Sequence, residues 1–172
     1  LLTRARALAE KIDDVQSRGL VEVSDAHYRF NVADFTGCLE RANEALRVLD
    51  VPNVDAQWER ASARLFRILA LHYLGRTREM LRDTAELMRD AESRRDRWLV
   101  SMLRMHNSQG LLNGDFMAGR ASVEEGYRLW KDREPGLMHA VWVTSSLALA
   151  VSEQRWEEAL AIRLREERAL RR

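Results

Sequence analysis

The sequence predicts an all-α fold: a superhelical array of antiparallel helical hairpins repeating every forty residues or so, about two helices per repeat. Three observations carry that prediction. Of the 172 residues, 46% are hydrophobic and 32% charged, with only 8 Gly and 2 Pro, which suits a folded, helix-rich chain. A small or polar pair followed by a bulky or β-branched residue recurs at Ala33-Asp34-Phe35, Gly75-Arg76-Thr77, Gly114-Asp115-Phe116 and Gln154-Arg155-Trp156. Each recurrence follows an apolar segment and precedes an amphipathic one, as expected of a helix–turn–helix unit stacked on copies of itself.

The elements follow in order. Residues 1–13 place Leu2, Ala5, Leu8, Ala9 and Ile12 on one stripe and read as the second helix of a preceding unit. The unit at 15–50 joins an apolar helix at 21–32 to an amphipathic one at 35–49. In the latter, Phe35, Cys38, Leu39, Ala42, Ala45, Leu46 and Leu49 share a stripe, with Glu40, Arg41, Glu44 and Arg47 opposite. The unit at 56–94 repeats the scheme with helices at 61–74 and 77–88, and its second stripe holds Thr77, Met80, Leu81, Thr84, Leu87 and Met88. Units at 97–131 and 137–172 follow, with helices at 98–112, 116–130, 137–151 and 156–170. Asp34 and Asp115 suit the N-cap of the helix they precede, and Gly75 and Gly114 suit a left-handed helix end. Asp50-Val51-Pro52-Asn53 and Glu134-Pro135-Gly136 interrupt helix continuation, while 11–14 and 95–97 read as polar links. The expectation is one helical-repeat domain over 1–172, with nine helices and no strand.

Composition excludes several function classes. Apolar runs such as 68–71 are far too short to span a bilayer, so no membrane association is expected. Net charge is +1, from 28 basic and 27 acidic residues, and a balanced chain gives no electrostatic case for nucleic acid. A single cysteine, Cys38, rules out an internal disulfide and any cysteine-based metal cluster, and a cytoplasmic location is the natural expectation. The start, Leu1-Leu2-Thr3-Arg4, has neither an initiator Met nor a signal-peptide layout, and the chain stops inside a helical pattern. Both ends therefore read as cut from something longer.

The turn and stripe residues resemble the tetratricopeptide family, whose unit carries a small residue in its first helix, a Gly-Asp-aromatic turn and small residues in its second helix. Ala26, Ala33-Asp34-Phe35, Cys38 and Ala45 match in the first unit; Gly114-Asp115-Phe116, Gly119 and Gly126 match in the third; Trp156 and Ala159 match in the fourth. The second unit departs from the pattern with Thr77 and Met80, and the units exceed the family's standard length. A narrower resemblance lies in 34–46, 63–76 and 95–99. These stretches are similar to the C-terminal helical repeats of large bacterial serine/threonine kinases that carry a signalling ATPase module, of the kind common in myxobacteria. The resemblance implies a tail region of such a regulator; none of the family's catalytic residues falls here, so none is carried over.

The chain holds no GxxxxGK[ST] phosphate loop, GxGxxG turn or kinase catalytic-loop motif, so no nucleotide, other cofactor or catalytic residue is expected. His27, His72, His106 and His139 include no pair at the three- or four-residue spacing of a helical metal site; they read as half-buried helix residues or groove residues, and no metal is expected. Glu124-Glu125, Glu157-Glu158 and Glu166-Glu167 read as solvated charges on polar helix arcs. Cys38 reads as a buried structural thiol. Trp58, Trp98 and Trp142, near the starts of first helices, read as packing against the preceding unit.

What remains is the face the first helices would present to a concave groove. His27, Asn31, His72, Tyr73, Arg104 and Ser108 are the candidate binding residues there, with Leu69 and Leu112 serving either groove or core. The function expected is non-catalytic: capture of a protein or peptide partner, with an effector-sensing domain or an oligomerisation arm as alternatives.

Overall fold

A computed structural model describes residues 1–52, 54–106, 114–130 and 136–170, with side chains through 167. Among the described residues there are nine α-helices and no strand. The chain divides into two compact units, Leu1–Leu87 and Met88–Arg172. The first holds α1 (Leu2–Ile12), α2 (Val15–Asn31), α3 (Phe35–Val48), α4 (Gln57–Tyr73) and the start of α5 (Thr77–Ser93). The second holds the end of α5, then α6 (Arg97–Met105), α7 (Phe116–Arg128), α8 (Leu137–Ser152) and α9 (Trp156–Leu170).

Packing within each unit is sequential, with one skip. In the first, α1 packs on α2, α2 on α3 and α3 on α4, while α2 also touches α4. In the second, α6 packs on α7, α7 on α8 and α8 on α9, while α6 also touches α8. Short turns between packed neighbours make each such pair a helical hairpin.

One turn design accounts for most of these hairpins. Asp13, Ala33, Gly75, Arg95, Gly114 and Gln154 each take a left-handed backbone, with φ of 53°, 59°, 70°, 57°, 69° and 60°. At four of them the next residue's N–H reaches back to the ending helix: Asp34 to Arg29 O at 2.9 Å, Arg76 to Leu71 O at 2.9 Å, Asp96 to Ala91 O at 2.9 Å and Arg155 to Ala150 O at 2.8 Å. That is the six-to-one bond of a Schellman ending, which satisfies carbonyls the helix would leave unpaired. The residue after the left-handed one then starts the next helix. The carboxylates of Asp14, Asp34, Asp96 and Asp115 accept from the N–H groups of Ser17, Gly37, Leu99 and Ala118. The stretch at 95–97, expected as a plain polar link, is therefore this same turn, and 11–14 shares its left-handed residue and its capping aspartate. The α3–α4 connection differs: Arg60 donates to Leu49 O at 2.7 Å and to Val54 O at 3.1 Å, holding the end of α3 from the next helix.

The stripes predicted for α3 and α5 fall on buried faces, whereas on α1 Leu8 and Ile12 are exposed and Ala9 alone is buried. On α3, Cys38, Leu39, Ala42, Ala45 and the following Leu49 are buried; on α5, Met80, Leu87 and Ala91 are. Alanines at Ala26, Ala42, Ala45 and Ala63, all fully buried, let the backbones approach closely. Gly19 completes that approach: a Cβ there would lie 2.3 Å from Leu49 Cδ2. The second helices start at the four recurring residues, Phe35, Thr77, Phe116 and Trp156. Boundaries elsewhere moved: α2 begins at Val15, six residues before the expected start, because Asp14 caps it. Two tryptophans also depart from expectation, since Trp58 and Trp156 are 58% and 60% exposed.

Candidate functional site

Four of the six groove candidates lie in the first unit, where the ends of α2 and α4 build an aromatic face. His27 stacks on Phe66 with ring centroids 4.9 Å apart, and Tyr73 stacks on Phe35 at 4.4 Å and 7°. Phe30 lies between these pairs, with Phe35, Phe66 and Tyr73 at 5.8, 6.1 and 5.7 Å. His72 meets the Tyr73 ring edge-on at 5.2 Å. The geometry has a local cause: His27, Phe30 and Asn31 follow helical spacing on α2, and Phe66 and Tyr73 lie two turns apart on α4. Asn31 Nδ2 donates to His27 O at 2.9 Å, so its amide is partly spent on the helix itself.

The face is open to solvent. Tyr73 is 57% exposed, and His27 and Asn31 are exposed as well. His72 is half-buried, and desolvation holds its imidazole below the usual range, in the neutral form near pH 7. Aromatic rings that are braced by one another yet open on one side supply contact area at little cost in ordering.

The other two candidates lie elsewhere. Arg104, on α6, pairs with Glu92 at 3.6 Å and with Glu125, and its backbone carbonyl accepts from Ser122. It ties α6 to its neighbours. Ser108 and Leu112 lie outside the described residues, and Leu69 is buried core.

Two groups of buried ionisable side chains escaped the sequence reading. In the first unit Glu22 and Asp25 are 8% and 6% exposed and collect three arginines: Arg6 reaches both, Arg41 reaches Glu22, and Arg29 reaches Asp25 and Asp34. In the second, Tyr127 Oη lies 2.8 Å from His139 Nδ1, and His139 Nε2 lies 3.0 Å from Glu166 Oε2. Trp142 stacks on Tyr127 at 4.7 Å and closes one side of this chain. Glu166 was expected as a solvated charge and is instead 8% exposed. Burial alone would raise its carboxyl, but the hydrogen bond and charge of Arg165, with His139, hold it below the usual range. Burial raises the Tyr127 phenol as well, the opposite of what a tyrosine nucleophile needs. The chain of three therefore fastens α7, α8 and α9 together.

Cys38 is fully buried, donates to Phe66 O at 3.7 Å, and has its thiol pushed by burial to about 11. A thiol so placed is inert at neutral pH. Among the described residues no group of His, Cys, Asp or Glu is arranged to hold a metal ion, and no helix is long and apolar enough to cross a membrane. The exposed aromatic face on α2 and α4 is the surface here best suited to recognition. No family model, no curated protein and no solved structure matches this chain.

Proposed function

We propose that this chain is a non-catalytic, tetratricopeptide-like domain whose hairpins form a superhelical array and hold a protein or peptide on the face of the first helices. The observation that carries the reading is the aromatic face of His27, Phe30, Phe35, Phe66 and Tyr73, braced by stacking and left open at His27 and Tyr73. Recurrence of one Schellman turn through the chain supports the repeat arrangement. The parent would be a cytoplasmic bacterial serine/threonine kinase with an ATPase module, the chain serving as its tail; a gene encoding no kinase domain upstream of these residues would end that part of the proposal.

Selection of peptides from a displayed random library against the folded chain tests the binding face. Selected peptides should lose roughly tenfold or more in affinity on Asn31→Ala and on Tyr73→Ala. The melting temperature of the Asn31 variant should change little, since Asn31 is exposed and its amide bonds to its own helix. Peptides indifferent to both substitutions would place recognition elsewhere.

A second reading, an oligomerisation arm, draws on α9. Trp156, Leu160 and Leu164 recur every fourth residue there and are all more than half exposed. Sedimentation of wild type and Leu160→Glu at several concentrations separates the two: association that the glutamate abolishes favours the arm.

A further inference from the structure

In the first unit, apart from the aromatic face, a cavity of about 420 Å³ opens between α1, α2 and α3. One wall is apolar, made by Val15 and Val21 of α2, Val48 of α3, and Val51 just beyond it. Its size lies in the range of small-molecule sites, which combine an apolar lining with a few placed polar groups.

The polar groups sort by whether they are already engaged. Arg6 is held by Glu22 and Asp25, and Arg47 is held in a two-bond fork by Glu44. Arg18 is different. Among the described residues its ion pair is to Asp13, at 3.6 Å, and that carboxylate is itself 85% exposed. The Arg18 side chain is 42% exposed and lines the cavity, so its guanidinium is the least committed of the three. A carboxylate answers a guanidinium with two parallel bonds.

We infer that this cavity binds a small carboxylic acid, its carboxylate on Arg18 and its apolar body against Val15, Val21, Val48 and Val51. The site shares no lining residue with the face of His27 and Tyr73 and goes beyond the protein-binding reading. The apolar wall sets the preference: acids with a larger apolar body bind more tightly than acetate. The neighbouring carboxylates Glu10, Glu22 and Glu44 leave the cavity without a net positive charge, so a monoanion is accepted and a polyanion disfavoured.

The test is titration calorimetry of the whole chain with acetate, 4-methylpentanoate and 4-phenylbutanoate, and with 4-phenylbutanamide as the uncharged match. Affinity should rise along the acids, the last binding roughly tenfold or more tighter than acetate. The amide should bind roughly tenfold or more weakly than its acid. Arg18→Gln should abolish the difference between acid and amide with its helical circular dichroism unchanged. Val51→Asp, which sets a negative charge at an exposed lining position, should weaken the acids and spare the amide. Saturable binding that Tyr73→Ala leaves intact would keep this site separate from the peptide face. The inference fails if no acid binds, if acid and amide bind alike, or if Arg18→Gln and Val51→Asp both leave acid binding unchanged.

Discussion

Ala33, Arg95 and Gln154 hold the left-handed backbone that glycine holds at Gly75 and Gly114. An L-residue is strained there, because its Cβ crowds the following carbonyl, whereas glycine is not. Ala33→Gly should therefore stabilise the chain by roughly 0.5–1 kcal/mol, the strain relieved exceeding glycine's extra freedom when unfolded. Gly75→Ala should do the reverse by about 1 kcal/mol, since a Cβ there meets no neighbour and only backbone strain is added. Urea unfolding of both variants checks the pair; equal midpoints would mean the turns relax around the side chain. Glu166 offers a second test at this scale. Its carboxyl is held below its ordinary value in the fold, so its stabilisation is complete above the unfolded value near 4.5 and disappears as pH falls through the folded one. Glu166→Gln should cost roughly 1–2 kcal/mol at pH 7 and progressively less below pH 4.5. A deficit that stayed constant down to pH 3 would show that packing, not charge, is what the substitution removes.

Helix approach is set by small residues, and at Gly126 on α7 the atoms in the way include backbone. A Cβ there would lie 2.9 Å from the backbone oxygen of Ser101 and 2.9 Å from Met105 Cγ, and Ser101 Oγ donates to Gly126 O at 2.6 Å. Backbone cannot step aside as a side chain can. Gly126→Ala should destabilise by about 2 kcal/mol, read by thermal or urea unfolding, while alanine at Met117, 85% exposed on the same helix, should change little. The elements were legible from sequence wherever local chemistry fixes them. Asp34 and Asp115 announced helix starts, Gly75 and Gly114 announced helix ends, and the α3 stripe announced its buried face. Asp13 and Arg95 did not announce theirs, because a charged residue in a left-handed turn looks like any polar link. The candidate site was half visible: His27 and Tyr73 meet the same cluster, but the stacking partner of Tyr73, Phe35, had been read only as a stripe residue. Glu22, Asp25 and Glu166 were hidden for a different reason. Their burial depends on which helix crosses over them, and helical spacing alone does not report that.

Across the molecule, burial is uneven. The α4 helix buries Ala61, Ala63, Leu65, Ile68, Leu69, Ala70 and Leu71, whereas α1 buries Ala9 alone. Local opening should follow that gradient. Amide hydrogen exchange should find α1 exchanging through local fraying, with protection at least tenfold or so below that of α4. Equal protection in the two helices would mean that α1 is held far more firmly than its buried area allows. What holds α1 is chiefly Arg6, whose guanidinium reaches Glu22 and Asp25, three residues apart on α2. Apolar contact through one alanine would tolerate sliding, but a fork set on two buried carboxylates does not. A slip by one helical turn, about 5.4 Å, would take the cation away from both and leave their charges to Arg41 and Arg29 alone. Arg6 thus works as a gauge pin, setting the register at which α1 meets the rest of the chain.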